Sequence, residues 1–424
     1  MDLKSQIKHQ IKYFVTKGYI NLIYPHKLRK IEKAVSKKDK IEVVFFAMNV
    51  AMWRYQGVYE LLSKEERFNC HIVFTVPSTY TKDQQNRDLA QLRAFFDSRG
   101  ISYLDYDVET DTGYDVKNEI HPDMLFYPQP YENVFPEMHG FGNFKDALLC
   151  YCPYGVTLTE SSNNYDTKFN NIAWRMYFAF PIDLQRAKRV ARNHGKNVVI
   201  SGYTNVDYYC QKDTKDPWKI KDSQHRRLIW APHFTVTGNE SCVGPRSNFL
   251  WMWELMVKIA DTYQDRIQIA FKPHPRLKSE LYRLPDWGKE RTDRYYDHWA
   301  NGANTQLETG DFVDLFKSSD AMIHDSCSFI MEYLFVNKPA AFVAKNKDEF
   351  YSTQSDMEKA AFDQHYIVGN EQEVKAFIED VVLGGTDSML AQRTSFYNEV
   401  LRPNVKGSTS QFIVDDIKRS LGIE

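Results

Sequence analysis

The tetrapeptide Lys272-Pro273-His274-Pro275 places two chemically capable side chains close together in the chain. It follows an apolar run, Ile267 to Phe271, of the kind that forms a buried parallel strand. The two prolines hold His274 in a stiff, extended loop, because proline fixes its own φ and restricts the residue before it. Such a histidine suits acid–base chemistry near neutral pH, and Lys272 adds a cation for a phosphate. The alternative for an isolated motif is a surface turn whose histidine faces water.

A second polar segment, Ser319 to Glu332, has the same organisation. Its apolar stretch Ala321 to Ile323 predicts a buried strand, and the residues from Phe329 onward predict a helix. A strand that leads into a helix start presents free backbone N–H groups and the positive end of the helix dipole, which together bind phosphate. The polar residues around this start are Asp325, Ser326, Ser328 and, two turns beyond Asp325 on the same helix face, Glu332.

These residues are suited to a nucleotide. Asp325 or Glu332 can accept hydrogen bonds from ribose hydroxyls, while the hydroxyls of Ser326 and Ser328 donate to a diphosphate. The alternative is that Asp325 and the serines only cap a helix. Ligands of open α/β sheets bind outside the carboxyl ends of the strands, so two such loops on one sheet favour a binding site.

The two segments together resemble the bacterial CDP-glycerol glycerophosphotransferase family, the teichoic-acid and capsule polymerases with a GT-B fold. Members of that family carry an Arg/Lys-Pro-His-Pro loop, an Asp-Tyr-Ser-Ser element before a helix, and an Asn-Lys-Pro strand start. The counterparts here are Lys272 to Pro275, Ser319 to Ser328, and Asn337-Lys338-Pro339, with weaker likenesses at Gly202 to Asp207, Ile229 to His233 and Gly407 to Ser410. The likeness covers the chain from about residue 200 onward.

The resemblance implies two doubly wound Rossmann-like domains that face a central cleft, with a nucleotide-activated donor bound by the second domain. It implies that the donor is a CDP-polyol or, in the alternative, a nucleotide sugar. No obligatory cofactor and no metal site are expected, although Mg²⁺ could assist. The catalytic candidates are His274 and Asp325, and the candidate donor contacts are Lys272, His233, Ser326, Ser328 and Glu332.

The departures from the family pattern concern mainly the acceptor side. Members usually carry a His-Gly pair in the first domain, often regarded as the catalytic base, and the nearest counterpart here is Tyr154-Gly155. His233 also stands where the family has threonine. Two explanations stay open: His274 alone serves as the base, or the chain transfers a different group. Further candidates for acceptor contact are Trp53 and Tyr127, which follow predicted strands, although aromatic residues more often pack in a core.

The length of 424 residues predicts two domains. Strand and helix signals alternate along the chain, which predicts an α/β protein with parallel doubly wound sheets. Residues 284–307 lack a clear period and are expected to form a long loop near the cleft. The predicted divisions are a basic arm (1–40), an acceptor domain (41–200), a donor domain (201–395) and a closing helical segment (396–424) that crosses back to the first domain.

Composition limits the class of protein. A net charge of −2 argues against a basic nucleic-acid binder, and 43% hydrophobic with 26% charged residues is ordinary for a globular protein. Six cysteines without a Cys-x-x-Cys pair favour a reducing compartment. We find neither an apolar run of transmembrane length nor a signal peptide, so a cytoplasmic location is expected.

The first 40 residues hold eleven Lys or Arg against three Asp or Glu, a net charge of +8. Apolar residues from Leu3 to Val15 recur at helical spacing beside this basic face. A basic amphipathic helix of this kind suits the inner leaflet of the membrane, where such enzymes extend lipid-linked or polymer acceptors. The alternative is a helix that packs on its own domain.

The sequence therefore predicts a GT-B transferase that builds a bacterial surface polymer such as teichoic acid, capsule or O-antigen. The preferred reaction transfers glycerol phosphate or a related polyol phosphate from a CDP-activated donor to an acceptor hydroxyl. The first alternative is a Leloir glycosyltransferase that uses a nucleotide sugar. The second is a non-catalytic GT-B scaffold in a polymer-synthesis complex.

Overall fold

The chain divides into two compact units, each built around one six-stranded parallel sheet. The first unit contains residues 1–207 and 403–424, and the second contains residues 208–402. The computed structural model describes residues 14–156, 164–211, 215–237, 247–310, 312–326, 328–402 and 408–423.

The sheet of the first unit has the strand order β2-β1-β5-β6-β7-β8. Strand β1, Ile41–Ala47, lies between β2 and β5 and buries apolar residues on both faces because the sheet separates two cores. Val43 and Phe45 face one core, and Val44 and Phe46 face the other. The other strands of this unit are β2 Phe68–Phe74, β3 Tyr106–Asp107 and β4 Thr112–Gly113 (a small antiparallel pair), β5 Met124–Tyr127, β6 Leu148–Tyr151, β7 Arg175–Phe178 and β8 Val198–Ile200.

The helices of the first unit connect these strands as crossovers. Thr81 begins the longest of them with a capping box, in which its hydroxyl accepts from the amide of Gln84. The helices are α1 Tyr24–Val35, α2 Gln56–Leu62, α3 Lys82–Asp97, α4 Lys168–Ile172, α5 Pro181–Val190 and α6 Val206–Cys210, which reaches the second unit. Short 3₁₀ or π turns cover Tyr19–Ile23, Val50–Met52, Val116–Ile120, Glu132–Val134, Glu137–His139 and Phe141–Asn143.

The sheet of the second unit has the order β11-β10-β9-β12-β13-β14. Strands β9 and β12 are neighbours in the sheet but not in the chain, so the winding direction reverses between them. A crevice forms at such a switch point, outside the carboxyl ends of the strands. The strands are β9 Arg226–Ala231, β10 Ile267–Phe271, β11 Thr305–Leu307, β12 Ala321–His324, β13 Ala340–Val343 and β14 Tyr366–Val368.

The long loop predicted over residues 284–307 is wrong, because this segment contains a 14-residue helix and strand β11. Thr292, Tyr295, Tyr296 and Trp299 recur at helical spacing and are buried, so the aromatic residues form a core face. The helices of this unit are α7 Phe249–Thr262, α8 Leu277–Arg283, α9 Gly288–Asn301, α10 Val313–Ser318, α11 Phe329–Glu332, α12 Lys347–Ser352, α13 Asp356–Phe362, α14 Glu371–Ala376 and α15 Leu390–Phe396, with 3₁₀ or π turns at Tyr333–Val336, Phe377–Leu383 and Tyr397–Leu401.

The last helix, α16 Thr409–Leu421, belongs to the first unit and buries Ile413 and Ile417 in its core. Asp207 caps this helix, since its carboxylate accepts from the amides of Thr409 (2.7 Å) and Ser410 (2.8 Å). The same carboxylate accepts from the hydroxyl of Ser408 at 2.9 Å. Two of the weaker sequence likenesses, at Gly202 to Asp207 and at Gly407 to Ser410, thus meet at this cap, with Gly407 outside the described residues.

The α/β class with two doubly wound parallel sheets is therefore confirmed. Of the predicted basic arm, residues 1–13 lie outside the described part of the chain, and the division at 200/201 stays a prediction. None of the described helices combines the length and the apolar character that crossing a bilayer requires.

Candidate active site

Three strand-end loops of the second unit bring polar residues to the switch point of its sheet. Strand β9 leads into Pro232-His233, β10 leads into Lys272 to Pro275, and β12 leads into Asp325-Ser326. The loops are joined by hydrogen bonds: the amide of Lys272 donates to Trp230 O at 2.8 Å, and that of His274 donates to Pro232 O at 3.0 Å. The structure thus places both predicted segments at one edge of one sheet.

Asp325 connects these loops to the start of α7. Its carboxylate accepts from the amide of His233 at 2.6 Å and from the amide of Asn248, the residue before α7. The side chain is almost fully buried, and burial raises the pKa of Asp325 to about 6, against the lowering effect of the two amides. Both oxygens are engaged by backbone, which favours a positioning role over direct chemistry. The catalytic role of Asp325 stays a prediction.

His274 is held by the backbone of its own loop. The amide of Arg276 donates to His274 Nδ1 at 3.1 Å, and the amide of Leu277 donates to the carbonyl of His274 at 2.8 Å. Burial, followed by the nearby charges of His233, Arg276 and Lys272, lowers the pKa of His274 to about 3. The imidazole is therefore neutral at physiological pH, which a catalytic hydrogen-bond donor or acceptor requires.

A cluster of neighbouring rings restricts the orientation of this imidazole. The centroid of His274 lies 4.4 Å from that of Phe234 and 5.2 Å from that of His233. The guanidinium of Arg276 lies over Phe234, 4.1 Å from the ring centroid, and pairs with Glu280 at 3.1 Å. His233, a predicted donor contact, accepts at Nδ1 from the amide of Thr235 at 3.4 Å. Both histidines are thus held at Nδ1.

Lys272 is buried, and its ammonium donates to Gly310 O at 2.8 Å. The same ammonium lies 5.8 Å from the ring centroid of Phe312. It therefore faces the segment between β11 and α10, at the carboxyl ends of the strands. The predicted contact between Lys272 and a phosphate stays a prediction.

The predicted diphosphate and ribose contacts lie in different surroundings. Ser326 is buried after β12, whereas Ser328 is exposed before α11, and its hydroxyl does not cap that helix. Glu332 is buried and accepts from Tyr209 OH at 3.1 Å. This contact orients the carboxylate of Glu332 within the second unit. The predicted contact of each residue with donor is untested.

In the first unit, Tyr154-Gly155 follows β6 at the carboxyl edge of the sheet. The carbonyl of Tyr154 accepts from Arg54 Nε at 2.9 Å and from Tyr203 OH at 3.4 Å. Burial, with the neighbouring Tyr131 and Tyr80, raises the pKa of the Tyr154 phenol to about 12, so this phenol is a poor base. Gly155 lines a small cavity with room for about one water molecule, together with Cys152, Pro153, Tyr177, Phe178, Ala179, Asp183, Gly202, Tyr203 and Thr204.

Trp53 and Tyr127 lie in the core of the first unit and not at an open surface. Trp53 is 4% exposed, packs edge-on against Phe96, and donates from Nε1 to Gln56 Oε1 at 2.8 Å. Tyr127 is fully buried, and its hydroxyl donates to His139 O at 2.9 Å. Their predicted contact with an acceptor therefore has no exposed ring face to use.

Two residues that connect the site were not foreseen from the sequence. The amino-acid sequence before Asn248 has no hydrophobic periodicity. Only the position of Asn248 directly before α7 could have indicated that its backbone amide contacts Asp325. Arg276 directly follows the Pro-His-Pro motif, so its proximity to His274 was visible in the sequence. Among the residues that the structure describes, no cluster of three or more His, Cys, Asp or Glu side chains could hold a metal ion.

Comparisons with known structures support the same fold. A variant of the wall teichoic acid polymerase TagF is 12% identical, with a TM-score of 0.56 over 100% of this chain and 99% of that chain. The S. aureus MnaA–UDP co-structure is 15% identical, with a TM-score of 0.54 over 91% of this chain and 98% of that one. A Neisseria meningitidis UDP-GlcNAc 2-epimerase bound to UDP-GlcNAc is 13% identical, with a TM-score of 0.54 over 90% of this chain and 100% of that chain.

These likenesses confirm the predicted GT-B fold class. The chain has no match among curated proteins. The model of the CDP-Glycerol:Poly(glycerophosphate) glycerophosphotransferase family, however, matches residues 176–417, which include the loops of His233, His274 and Asp325. Because this match spans more than half of its length, the chain belongs to the CDP-glycerol:poly(glycerophosphate) glycerophosphotransferase family.

Proposed function

We propose that this enzyme transfers glycerol phosphate, or a related polyol phosphate, from a CDP-activated donor to an acceptor hydroxyl of a growing polymer of the teichoic-acid type. The observation that carries the proposal is the family match over residues 176–417, which contains all the candidate donor residues. The likeness to a wall teichoic acid polymerase, at 12% identity, supports the fold alone. The polyol, the acceptor and the polymer class therefore follow from the family.

In the proposed reaction an acceptor hydroxyl attacks the β-phosphorus of the donor in line. A new O–P bond forms, the P–O bond to the nucleotide breaks, CMP leaves with the electron pair, and the proton of the acceptor hydroxyl passes to solvent. The protein contributes mainly positioning and charge stabilisation in such reactions. We assign His274 to the reacting phosphate, Lys272 to a phosphate oxygen, and Ser326 and Ser328 to the diphosphate. Glu332 is assigned to the ribose, and Mg²⁺ is not required by this arrangement.

Product analysis tests this reaction. We expect CMP after incubation with CDP-glycerol and a polyol-phosphate acceptor, because attack at phosphorus releases the nucleoside monophosphate. Chromatography of the nucleotide products separates CMP from CDP, UDP and GDP. Before this, thermal-shift measurements with CDP, UDP, GDP and CMP identify the nucleobase of the donor. A nucleotide that binds the native state raises the melting temperature, so the nucleotide that raises it most is the one preferred.

The same experiment, repeated with nucleotide-sugar donors, decides between the alternatives. A released nucleoside diphosphate would mean attack at an anomeric carbon, and the enzyme would then be a glycosyltransferase. Tyr154 in place of the expected histidine favours this second candidate, as does the likeness to enzymes solved with UDP or UDP-GlcNAc. Absence of turnover with any activated donor would favour a scaffold.

We further propose that the N-terminal segment binds the anionic inner surface of the membrane and so brings the site to a lipid-linked acceptor. Apolar side chains are exposed here, with Phe14 and Val15 at 67%, Leu22 at 71% and Ile23 at 61%. Large apolar residues exposed beside basic ones favour a membrane interface. The nearby basic residues are Lys17, Lys27, Arg29, Lys30 and Lys33.

The second half of the arm packs on its own unit. Ile31 and Val35 of α1 are buried in the core of the first unit, and Tyr24 OH donates to Ile172 O at 2.6 Å. Exposed apolar residues at 14–23 thus support the membrane contact, and buried residues at 31–35 support packing on the first unit. Deleting residues 1–40 would remove core residues, so point substitutions test membrane binding more cleanly.

We expect the double variant Leu22→Glu, Ile23→Glu to lose sedimentation with anionic vesicles, because it places two charges on the apolar face. Activity on a short soluble acceptor should survive. Salt should weaken binding of the unsubstituted protein, since attraction between exposed charges is screened beyond about 10 Å at 0.1 M. The measurement is co-sedimentation with phosphatidylserine-containing and neutral vesicles.

The matched control is Leu390→Glu, because Leu390 is an exposed leucine (48%) in the second unit. This variant should bind vesicles as the unsubstituted protein does. Unchanged vesicle binding in the double variant would contradict the proposed membrane contact and leave packing as the role of the arm.

A further inference from the structure

We infer that Arg276 is a positioning residue: its backbone N–H holds His274 as the Nε2–H tautomer, so that His274 donates a hydrogen bond to the reacting phosphate and does not take the acceptor's proton. The identity of the ligand rests on the proposed function. The tautomer rests on geometry within the second unit alone.

The contact that defines the tautomer is the hydrogen bond from Arg276 N to His274 Nδ1, at 3.1 Å. An amide nitrogen can only donate, so Nδ1 must offer its lone pair. A neutral imidazole carries a single N–H, which must then be on Nε2. Pro275 has no N–H, so Arg276 supplies the first backbone donor after His274 in the chain.

The loop is built to keep this donor in place. The amide of Leu277 donates to the carbonyl of His274 at 2.8 Å, which closes a turn around Pro275 and Arg276. The amide of His274 itself donates to Pro232 O at 3.0 Å and ties the loop to the end of β9. The ring of Phe234 contacts both the His274 ring and the guanidinium of Arg276, and this packing limits rotation of the imidazole.

The surroundings keep the ring neutral. Lys272 and Arg276 place two cations near it, and the ring of His233 is 5.2 Å away. Burial and these charges oppose protonation, which agrees with the lowered pKa of His274. A neutral imidazole with its proton on Nε2 has no lone pair at that nitrogen, and its other nitrogen, Nδ1, already accepts from the amide of Arg276, so the ring is not placed to take the acceptor's proton.

This assignment suits the chemistry of phosphoryl transfer. The transition state is loose, with negative charge spread over the phosphoryl oxygens, and little covalent work is left to a base. A neutral N–H donor at a fixed place stabilises that charge without a change in its own protonation. His274 therefore acts as a donor, and the amide of Arg276 decides which nitrogen carries the proton.

The test is ¹⁵N NMR of the full chain labelled at histidine, with His274 assigned from the spectrum of His274→Gln. We expect His274 to show a protonated Nε2 and an unprotonated Nδ1 at pH 7. Arg276→Ala retains the backbone N–H and should retain this tautomer. Arg276→Pro removes the N–H and should give a mixture of tautomers, but it also strains the turn from His274 to Leu277, where proline is disfavoured at the third position.

Activity provides the second measurement. Turnover should fall roughly 10-fold further in Arg276→Pro than in Arg276→Ala, in proportion to the loss of the productive tautomer. A protonated Nδ1 or an imidazolium in the unsubstituted protein would overturn the inference, even if Arg276→Pro does not fold. A correct tautomer without CMP production would instead overturn the proposed function and leave the tautomer assignment intact.

Discussion

Turnover of the His274→Ala variant is expected to fall by roughly 10²-fold or more, while donor affinity changes little. The reason is that a hydrogen bond which strengthens as charge develops lowers the barrier without tightening the ground-state complex. His274 is half-buried after β10 and accepts at Nδ1 from the amide of Arg276, so Nε2 is the nitrogen that carries the proton in the proposed arrangement. Steady-state kinetics and calorimetric binding of CDP-glycerol measure the two effects separately.

His274→Gln is the matched variant, because the glutamine amide can donate an N–H from about the place of Nε2. It should retain more activity than His274→Ala if His274 donates a hydrogen bond. If His274 were the base, both variants would lose activity equally. Near-normal turnover in His274→Ala would remove His274 from the mechanism.

The pH dependence follows from the direction of the pKa shift. The pKa of His274 is lowered to about 3, so the residue is neutral both at pH 8 and at pH 5. Protonation of His274 should therefore cause no change in turnover between pH 5 and pH 8. In the unfolded chain His274 binds a proton below about pH 6.5, whereas in the folded protein it does so only near pH 3. Between these values protonation favours the unfolded state, so the free energy of unfolding falls as the pH falls from about 6.5 toward 3.

The strand-end loops could be predicted from the sequence because their signals are local. An apolar run such as Ile267 to Phe271 followed by two prolines marks both the end of the strand and the stiff loop after it. The same holds for the run before Asp325. Helix α9 is absent from the prediction because residues 284–307 show no clear period as a whole, although Tyr295, Tyr296 and Trp299 have the spacing of a buried helical face.

The contacts within the site could not be predicted, because they join residues far apart in the chain. Nothing near Asp325 in sequence indicates that its oxygens accept the amides of His233 and Asn248. Likewise, Trp53 and Tyr127 are of residue types that often bind sugars, but the structure places both in the core of the first unit. An aromatic residue after a strand serves either purpose, and only the tertiary packing distinguishes them.

The second large effect is expected in Asp325→Ala, which should lower the free energy of unfolding of the second unit by about 3 kcal/mol or more. The substitution leaves the buried amide of His233 and the partly buried amide of Asn248 without their acceptor, and a buried unsatisfied group costs about 1–3 kcal/mol. It also leaves a small cavity where the carboxylate was. Urea denaturation followed by tryptophan fluorescence measures the change, with Trp230 at the end of β9 as one of the probes.

Asp320 provides the control within the same strand connection. Its carboxylate also accepts a backbone amide, from Arg227 at 2.8 Å, but its side chain is 39% exposed, so water can replace the lost partner. Asp320→Ala should therefore cost only about 1 kcal/mol. If Asp325→Ala were equally mild, the carboxylate would not be what joins the loop of His233 to the start of α7. If Asp325→Ala were stable but inactive, Asp325 would take part in the chemistry directly, and the positioning role argued from its two amide contacts would be wrong.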